Sequence, residues 1–273
     1  MTSSDKIILI HKPPSWSPLQ AIEKLRVLKP ELADETLGYA GRLDPMAEGL
    51  LLILVGDECK RRTEYERLEK EYEFEVLLGI ETDSYDVMGI VKNINGFEMK
   101  NEKLDIGPPA GGWKLEISQL LKSFIGSWDQ PYPPYSSARV NGKPLFYWAR
   151  EGKIDEINIP KKQISIHSIE LNEVKEVKLK DIIPEIIGRI EKVQGEFRQE
   201  EILNRWKEVM KEKPELNLIK LSCTISCSSG TYVRSIAHEL GKRLGTGGIA
   251  YFIKRTRIGE FALGEALTIH HSS

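Results

Sequence analysis

Apolar positions along this chain fall into two rhythms. The runs "KIILI" (6–10) and Leu50 to Val55, the latter closed by Gly56, are short and unbroken, which predicts buried strands. "KEYEFEVLLG" (70–79) alternates and predicts a strand with one polar face. "QISIHSIEL" (163–171), "LIKLSCTISCS" (218–228) and "AYFIKRTRIGEFAL" (250–263) also read as strands. Helical spacing marks "SPLQAIEKLRVL" (17–28) with its Ser-Pro start, "ISQLLKSFIG" (117–126) ending at Gly126, and "GTYVRSIAHELGKRLG" (230–245) with an apolar "IAHEL" face. A charge-rich segment, 175–216, has a helical period in "EILNRWKEVMKEK" and reads as a helical insertion between two strands. Without a βαβ rhythm, the pattern predicts an α+β fold on a mixed, mostly antiparallel central sheet with flanking helices.

Composition adds little to this until it is read locally. At 273 residues, 40% hydrophobic and 29% charged, the chain reads as an ordinary soluble globular protein, long enough for one large core or two smaller ones. No run is long enough for a signal or a membrane span, so a cytoplasmic location is expected. Cys59, Cys223 and Cys227 cannot frame a disulfide network, and the lone C-x-x-x-C lacks a second ligand cluster, so no metal is expected. The formal net charge of −2 does not favour a nucleic-acid partner, but "KRR" (60–62), "ARVNGKPLFYWAREGK" (138–153) and "KRTR" (254–257) are basic. Each alone reads more readily as a solvated face than as a binding site. The segment 129–153, rich in proline, aromatic and basic residues, reads as a long structured loop running into a short helix.

One stretch concentrates the chemistry. "GYAGRLDPMAEGL" (38–50) places Asp44 on a glycine-flanked turn before Pro45 and the apolar run. For the tripeptide alone, a turn aspartate accepting backbone hydrogen bonds is the simpler reading. Tyr72 and Tyr232 equally suit half-buried sheet tyrosines, Arg234 a surface helix arginine and Ile253 a core residue.

Five blocks in order change that balance. "HKPPSWSPLQAIEKLR", "GYAGRLDPMAEGLLLILVGDECKR", "KEYEFEVLLGIETDSYDVMG", "CSSGTYVRSIAHELGKRLG" and "FIKRTRIGEF" resemble, one after another, the motifs of the TruB family of pseudouridine synthases. The resemblance covers most of residues 6–263 and implies a single catalytic domain spanning 1–273. It implies the pseudouridine synthase fold with an RNA-binding cleft, no cofactor or metal, and conversion of a uridine in RNA to pseudouridine. The implied target is the uridine conventionally numbered 55 in the T-loop of tRNA. It implies Asp44 as catalytic aspartate, Tyr72 as the ring beside the target base, Tyr232 as the uracil-pocket tyrosine, Arg234 as partner of the aspartate and Ile253 as an apolar wall. The loop 129–153 matches the family's RNA-gripping thumb, with Arg139, Lys143 and Arg150 as candidate phosphate contacts. The T-arm of tRNA is the implied partner, no protein partner is needed, and a monomer is expected.

The chain departs from the family pattern at several places. Tyr39 stands for a histidine after the first glycine and is expected to stack where the target base leaves. Arg42 replaces a small residue, His11 an aspartate and Met88 an acidic residue. The insertion 175–216 is expected to be a dispensable appendage, and the family's common C-terminal RNA-binding domain is not expected in this chain. The competing readings are a non-catalytic T-arm binding or folding protein and a synthase acting on another RNA.

Overall fold

A computed structural model describes residues 7–96 and 112–269, so Lys6, the first residue of the expected opening strand, lies outside the described residues. β1 (Ile7–Lys12) leads into α1 (Pro18–Leu28). Ser17 caps this helix reciprocally: its hydroxyl accepts from the Gln20 N–H at 3.2 Å and Gln20 Oε1 accepts from the Ser17 N–H at 2.7 Å, with Pro18 opening the helix. β2 (Leu37–Ala40) and β3 (Glu48–Val55) flank the loop that carries Asp44. After α2 (Arg62–Glu66) come β4 (Lys70–Leu78), β5 (Ile80–Thr82), β6 (Val91–Ile94) and α3 (Gly112–Lys122).

The helix expected over 117–126 therefore ends a turn early. Gly126, at φ +108°, cannot continue it and opens β7 (Gly126–Pro131) instead. A two-residue hairpin, β8 (Arg139–Val140) and β9 (Lys143–Pro144), precedes α4 (Leu145–Arg150), so the proline- and aromatic-rich loop has its own small scaffold. β10 (Lys161–Lys178) runs for 18 residues before α5 (Leu179–Glu191) and α6 (Gln199–Glu212). β11 (Asn217–Cys227), α7 (Val233–Arg243), β12 (Gly248–Ile258), β13 (Phe261–Ala262) and β14 (Leu267–Thr268) complete the chain order.

Ten strands form one sheet in the order β14-β1-β3-β12-β4-β11-β10-β7, with β2 beside β3 and β13 beside β12. The β1/β14 and β3/β12 pairs are parallel and the rest antiparallel, which is the mixed, mostly antiparallel α+β arrangement expected. The unbroken apolar run in β3 is explained by burial on both faces. Leu51 and Ile53 pack with Ala21, Ile22 and Leu25 of α1, while Leu50, Leu52 and Leu54 pack with Ile258 on the other side.

The same alternation divides β4. Phe74, Val76 and Leu78 join Ile117 and Leu121 of α3 and Ile236 and Leu240 of α7 on one face. Leu77 joins Ile183 and Ile186 of α5 and Ile202 and Trp206 of α6 on the other. Cys223 and Cys227 lie buried on β11, where burial pushes the Cys227 thiol up to about 11. At the parallel junction Gly49 (φ +112°) is obligatory, since a Cβ there would meet the Arg255 carbonyl oxygen at 2.3 Å. Among the described residues no helix is long and apolar enough to cross a membrane, and no cluster of three or more His, Cys, Asp or Glu could hold a metal ion.

Candidate active site

The loop between β2 and β3 turns tightly enough for the Ala47 N–H to donate to the Asp44 carbonyl at 3.0 Å, which leaves the Asp44 carboxylate projecting from a fixed backbone. Two buried basic side chains brace this loop from behind. Lys12, fully buried, donates through Nζ to the carbonyls of Pro13 (2.9 Å), Trp16 (2.7 Å) and Pro45 (3.4 Å). Burial, helped by the nearby Arg255 cation, lowers its ammonium to about 7. Arg255 on β12 donates to the carbonyls of Leu50 (2.8 Å), Arg42 (3.3 Å) and Gly41 (3.3 Å). Lys12 and Arg255 thus act on the loop backbone.

Arg234, in the first turn of α7 and 3% exposed, meets Asp44 from the other side. Its Nε donates to Asp44 Oδ2 at 3.0 Å, Nη1 to the Ser84 carbonyl at 2.8 Å and Nη2 to the Tyr135 carbonyl at 2.9 Å. Burial opposes the guanidinium charge, but Asp44 and Asp86 outweigh it and raise the affinity of Arg234 for its proton. Asp86 lies 3.9 Å from Nε and is itself buried; burial pushes its carboxyl up to about 6, against the pull of Arg234. The arrangement fixes a guanidinium, with three of its nitrogens engaged, against a carboxylate whose side chain is 36% exposed to a cleft.

That cleft has a volume of about 630 Å³, and Tyr39, Asp44, Tyr72, Tyr232, Arg234 and Ile253 all line it. Tyr72 sits on β4 directly across from Arg255 on β12, and Ile253 lies on the same β12 strand opposite Phe74. Burial pushes the phenols of Tyr72 and Tyr232 up to about 12, so both are neutral rings at ordinary pH. The Tyr232 backbone is pinned by Gln130 of β7, whose Oε1 accepts from its N–H at 2.8 Å and whose Nε2 donates to its carbonyl at 3.2 Å. Tyr39 on β2 carries the Arg62 guanidinium 5.2 Å from its ring centroid.

The three thumb cations are divided. Arg150 borders a smaller cavity beside Asp44 and donates to the Glu196 carbonyl at 2.7 Å. Arg139 and Lys143 do not line the cleft: Arg139 closes its own hairpin through the Gly142 carbonyl (2.7 Å), and Lys143 lies 4.1 Å over the Tyr147 ring. Asp86, Tyr135, Arg198 and Arg255 contribute to the site without having been singled out from the sequence. Asp86 and Arg255 fall inside quoted motif blocks, but nothing in local spacing says that they turn inward.

A model of the TruB family pseudouridylate synthases (N-terminal domain) matches residues 29–183. Proteins named tRNA pseudouridine synthase B are similar over nearly the whole chain. The one from Flavobacterium johnsoniae is 30% identical across 97% of this chain and 93% of its own length, and the one from Opitutus terrae 30% across 97% and 86%. Among solved structures, a chain of a Cbf5-Nop10-Gar1 complex superposes with a TM-score of 0.56 at 17% identity, covering 97% of this chain and 52% of that one. A chain of an H/ACA RNP bound to a substrate RNA containing 2′-deoxyuridine gives 0.53. This chain thus spans about half the length of those two, and the likeness is one of fold. The shared fold is the mixed, mostly antiparallel sheet with flanking helices described above. The chain belongs to the TruB family of pseudouridylate synthases.

Proposed function

We propose that this chain isomerises a uridine in RNA to pseudouridine, with the uridine conventionally numbered 55 in the T-loop of tRNA as its target. It acts as a monomeric single domain in the cytoplasm, without cofactor, metal or protein partner. The observation that carries this reading is the Asp44–Arg234 pair: a carboxylate held at 3.0 Å from a buried guanidinium and still open to the cleft. The relatives' shared name favours tRNA over other RNAs.

The chemistry follows from what each group can do. A target base inside a folded RNA must leave its stack, at a cost of a few kcal/mol, and be held between rings. Tyr72 and Tyr232 supply neutral rings and Ile253 a dry wall. The Arg234 guanidinium, 3.0 Å from Asp44 Oδ2, orients the carboxylate as nucleophile or base. The bond from the sugar to N1 breaks, the held uracil turns, the sugar bonds to C5, the C5 proton is given up, and N1 takes up a proton from water, so that atoms balance. In this reading Tyr72 relays the C5 proton, its oxygen taking that proton as its own phenolic proton goes to water, with the Arg255 cation nearby to steady the oxygen.

The test is tritium release from C5-labelled uridine in a T-arm stem-loop, a full tRNA and an unrelated hairpin, with parent and Asp44→Asn protein. The parent is expected to act on the first two. Asp44→Asn keeps the side-chain shape but removes its charge, so turnover is expected to vanish while T-arm binding stays within a few fold. Near-parental release by pure Asp44→Asn overturns the site. A parent that binds the T-arm but releases nothing from it favours a non-catalytic binder.

A further inference from the structure

The turn between α5 and α6 lies in the segment expected to be an appendage, yet it reaches the site. Phe197 lines the large cleft, and with Arg198 it also borders the smaller cavity, about 90 Å³, beside Asp44 and Arg234. Arg198 adopts φ +61° and ψ +30°, a left-handed conformation that few non-glycine residues keep without support. Support is present. The Phe197 N–H donates to Gln199 Oε1 at 2.8 Å, Gln199 Nε2 donates to the Val193 carbonyl at 3.1 Å, and Arg150 of the thumb helix donates to the Glu196 carbonyl at 2.7 Å.

So held, Arg198 forms a two-pronged bond to Asp83, Nη1 to Oδ2 at 2.9 Å and Nη2 to Oδ1 at 3.3 Å, with both side chains less than one-fifth exposed. Its guanidinium also lies 4.2 Å from the Tyr135 ring centroid, and the Tyr135 hydroxyl donates to Asp83 Oδ2 at 3.2 Å. The two carbonyls that orient Arg234 belong to Ser84, the neighbour of Asp83, and to Tyr135 itself. These segments are about fifty residues apart in the chain, and Arg198 grips the side chains that tie them together.

We infer that Arg198 is a positioning residue for the Asp44–Arg234 pair, acting through Asp83 and Tyr135, so that the α5–α6 turn completes the site. The catalytic consequence rests on the synthase reading; the positioning itself does not.

The experiment therefore has an arm without RNA. In protein carrying ¹⁵N-labelled arginine, the Arg234 Nε–H signal, assigned by its loss in Arg234→Gln, is followed for exchange with water. Arg198→Ala is expected to speed that exchange tenfold or more. Arg198→Lys, which keeps the charge but not the fork or the plane, is expected to speed it too. In tritium release, kcat is expected to fall by up to about 100-fold, the scale of an ångström-sized misplacement. KM is expected to move less than about threefold, because Arg198 engages Asp83 rather than RNA. Parental exchange in folded Arg198→Ala overturns the inference, and so does a loss confined to KM, which makes Arg198 a phosphate contact. Should Arg198→Ala fail to fold, the isosteric Asp83→Asn must show the faster exchange, and parental exchange there overturns the inference as well. A parent inert on every RNA sinks the synthase reading alone, since exchange in the RNA-free protein still decides the positioning.

Discussion

Arg234 spends three hydrogen bonds on two backbone carbonyls and one carboxylate, and has a second carboxylate, Asp86, 3.9 Å away. A single buried cation faces two acids in different surroundings. Asp44 keeps part of its hydration through the cleft, whereas Asp86 is buried and its carboxyl rises to about 6 from an unfolded value near 3.9. Because the folded value is the higher one, the stabilisation from Asp86 is complete below about pH 4 and is lost as pH rises through about 6. Asp86→Asn keeps an acceptor for the Met88 N–H (2.9 Å) and the Ser84 hydroxyl (2.6 Å) and does not titrate. In urea melts at pH 4, 5, 6 and 7, the parent is expected to lose on the order of 2 kcal/mol relative to this variant as pH rises. A difference that stays flat across that range means Arg234 holds Asp86 ionised throughout.

Elements were more legible than their partners. The capped α1, the alternating β4 and the amphipathic α7 are written in local spacing, and a strand or helix satisfies its own backbone wherever it later packs. Of the α5–α6 pair the local period shows α6, in "EILNRWKEVMKEK", within a segment expected to be helical from 175, where β10 instead runs on to Lys178, and nothing local says what the apolar face covers. The structure corrects the appendage reading: Ile183, Ile186, Ile202 and Trp206 share one core with Leu77, Ile80, Leu218 and Ile249. A short Gly/Ser turn in place of the pair would strip that face of the sheet. Trp206, fully buried and donating through Nε1 to the Val87 carbonyl at 3.2 Å, reports on this directly. Trp206→Ala is expected to cost about 3–5 kcal/mol in urea unfolding. A cost below about 1 kcal/mol would return the pair to the status of an appendage. The site shows the same limit. Asp44 and Arg234 stand 190 positions apart and were joined only through motif resemblance, while Arg198 and Asp83, 115 apart, carried no pattern that could pair them.

At the scale of the molecule, a net charge of −2 argues against a nucleic-acid partner only if charge is spread evenly, and here it is not. Six basic side chains, Arg42, Arg62, Lys70, Lys162, Arg234 and Arg255, line the large cleft with two carboxylates, Asp44 and Glu66. Several are committed to the protein: Arg62 pairs with Glu66 at 2.8 Å, while Arg234 and Arg255 hold backbone. Arg42, exposed on the Asp44 loop, and the half-buried Lys162 on β10 are the cleft cations best placed to meet phosphate. Arg139 and Lys143 sit outside the cleft on the small hairpin. RNA affinity measured from 50 to 300 mM salt separates the two routes, because each lost phosphate contact lowers the slope of log affinity against log salt by about 1. Arg42→Ala and Lys162→Ala are each expected to lower the slope by about that amount. Arg139→Ala and Lys143→Ala are expected to do so only where RNA extends from the cleft onto the hairpin. If the hairpin pair lowers the slope and the cleft pair leaves it unchanged, the backbone of the RNA runs over the thumb and not past Asp44, and the cleft loses its claim to the target strand.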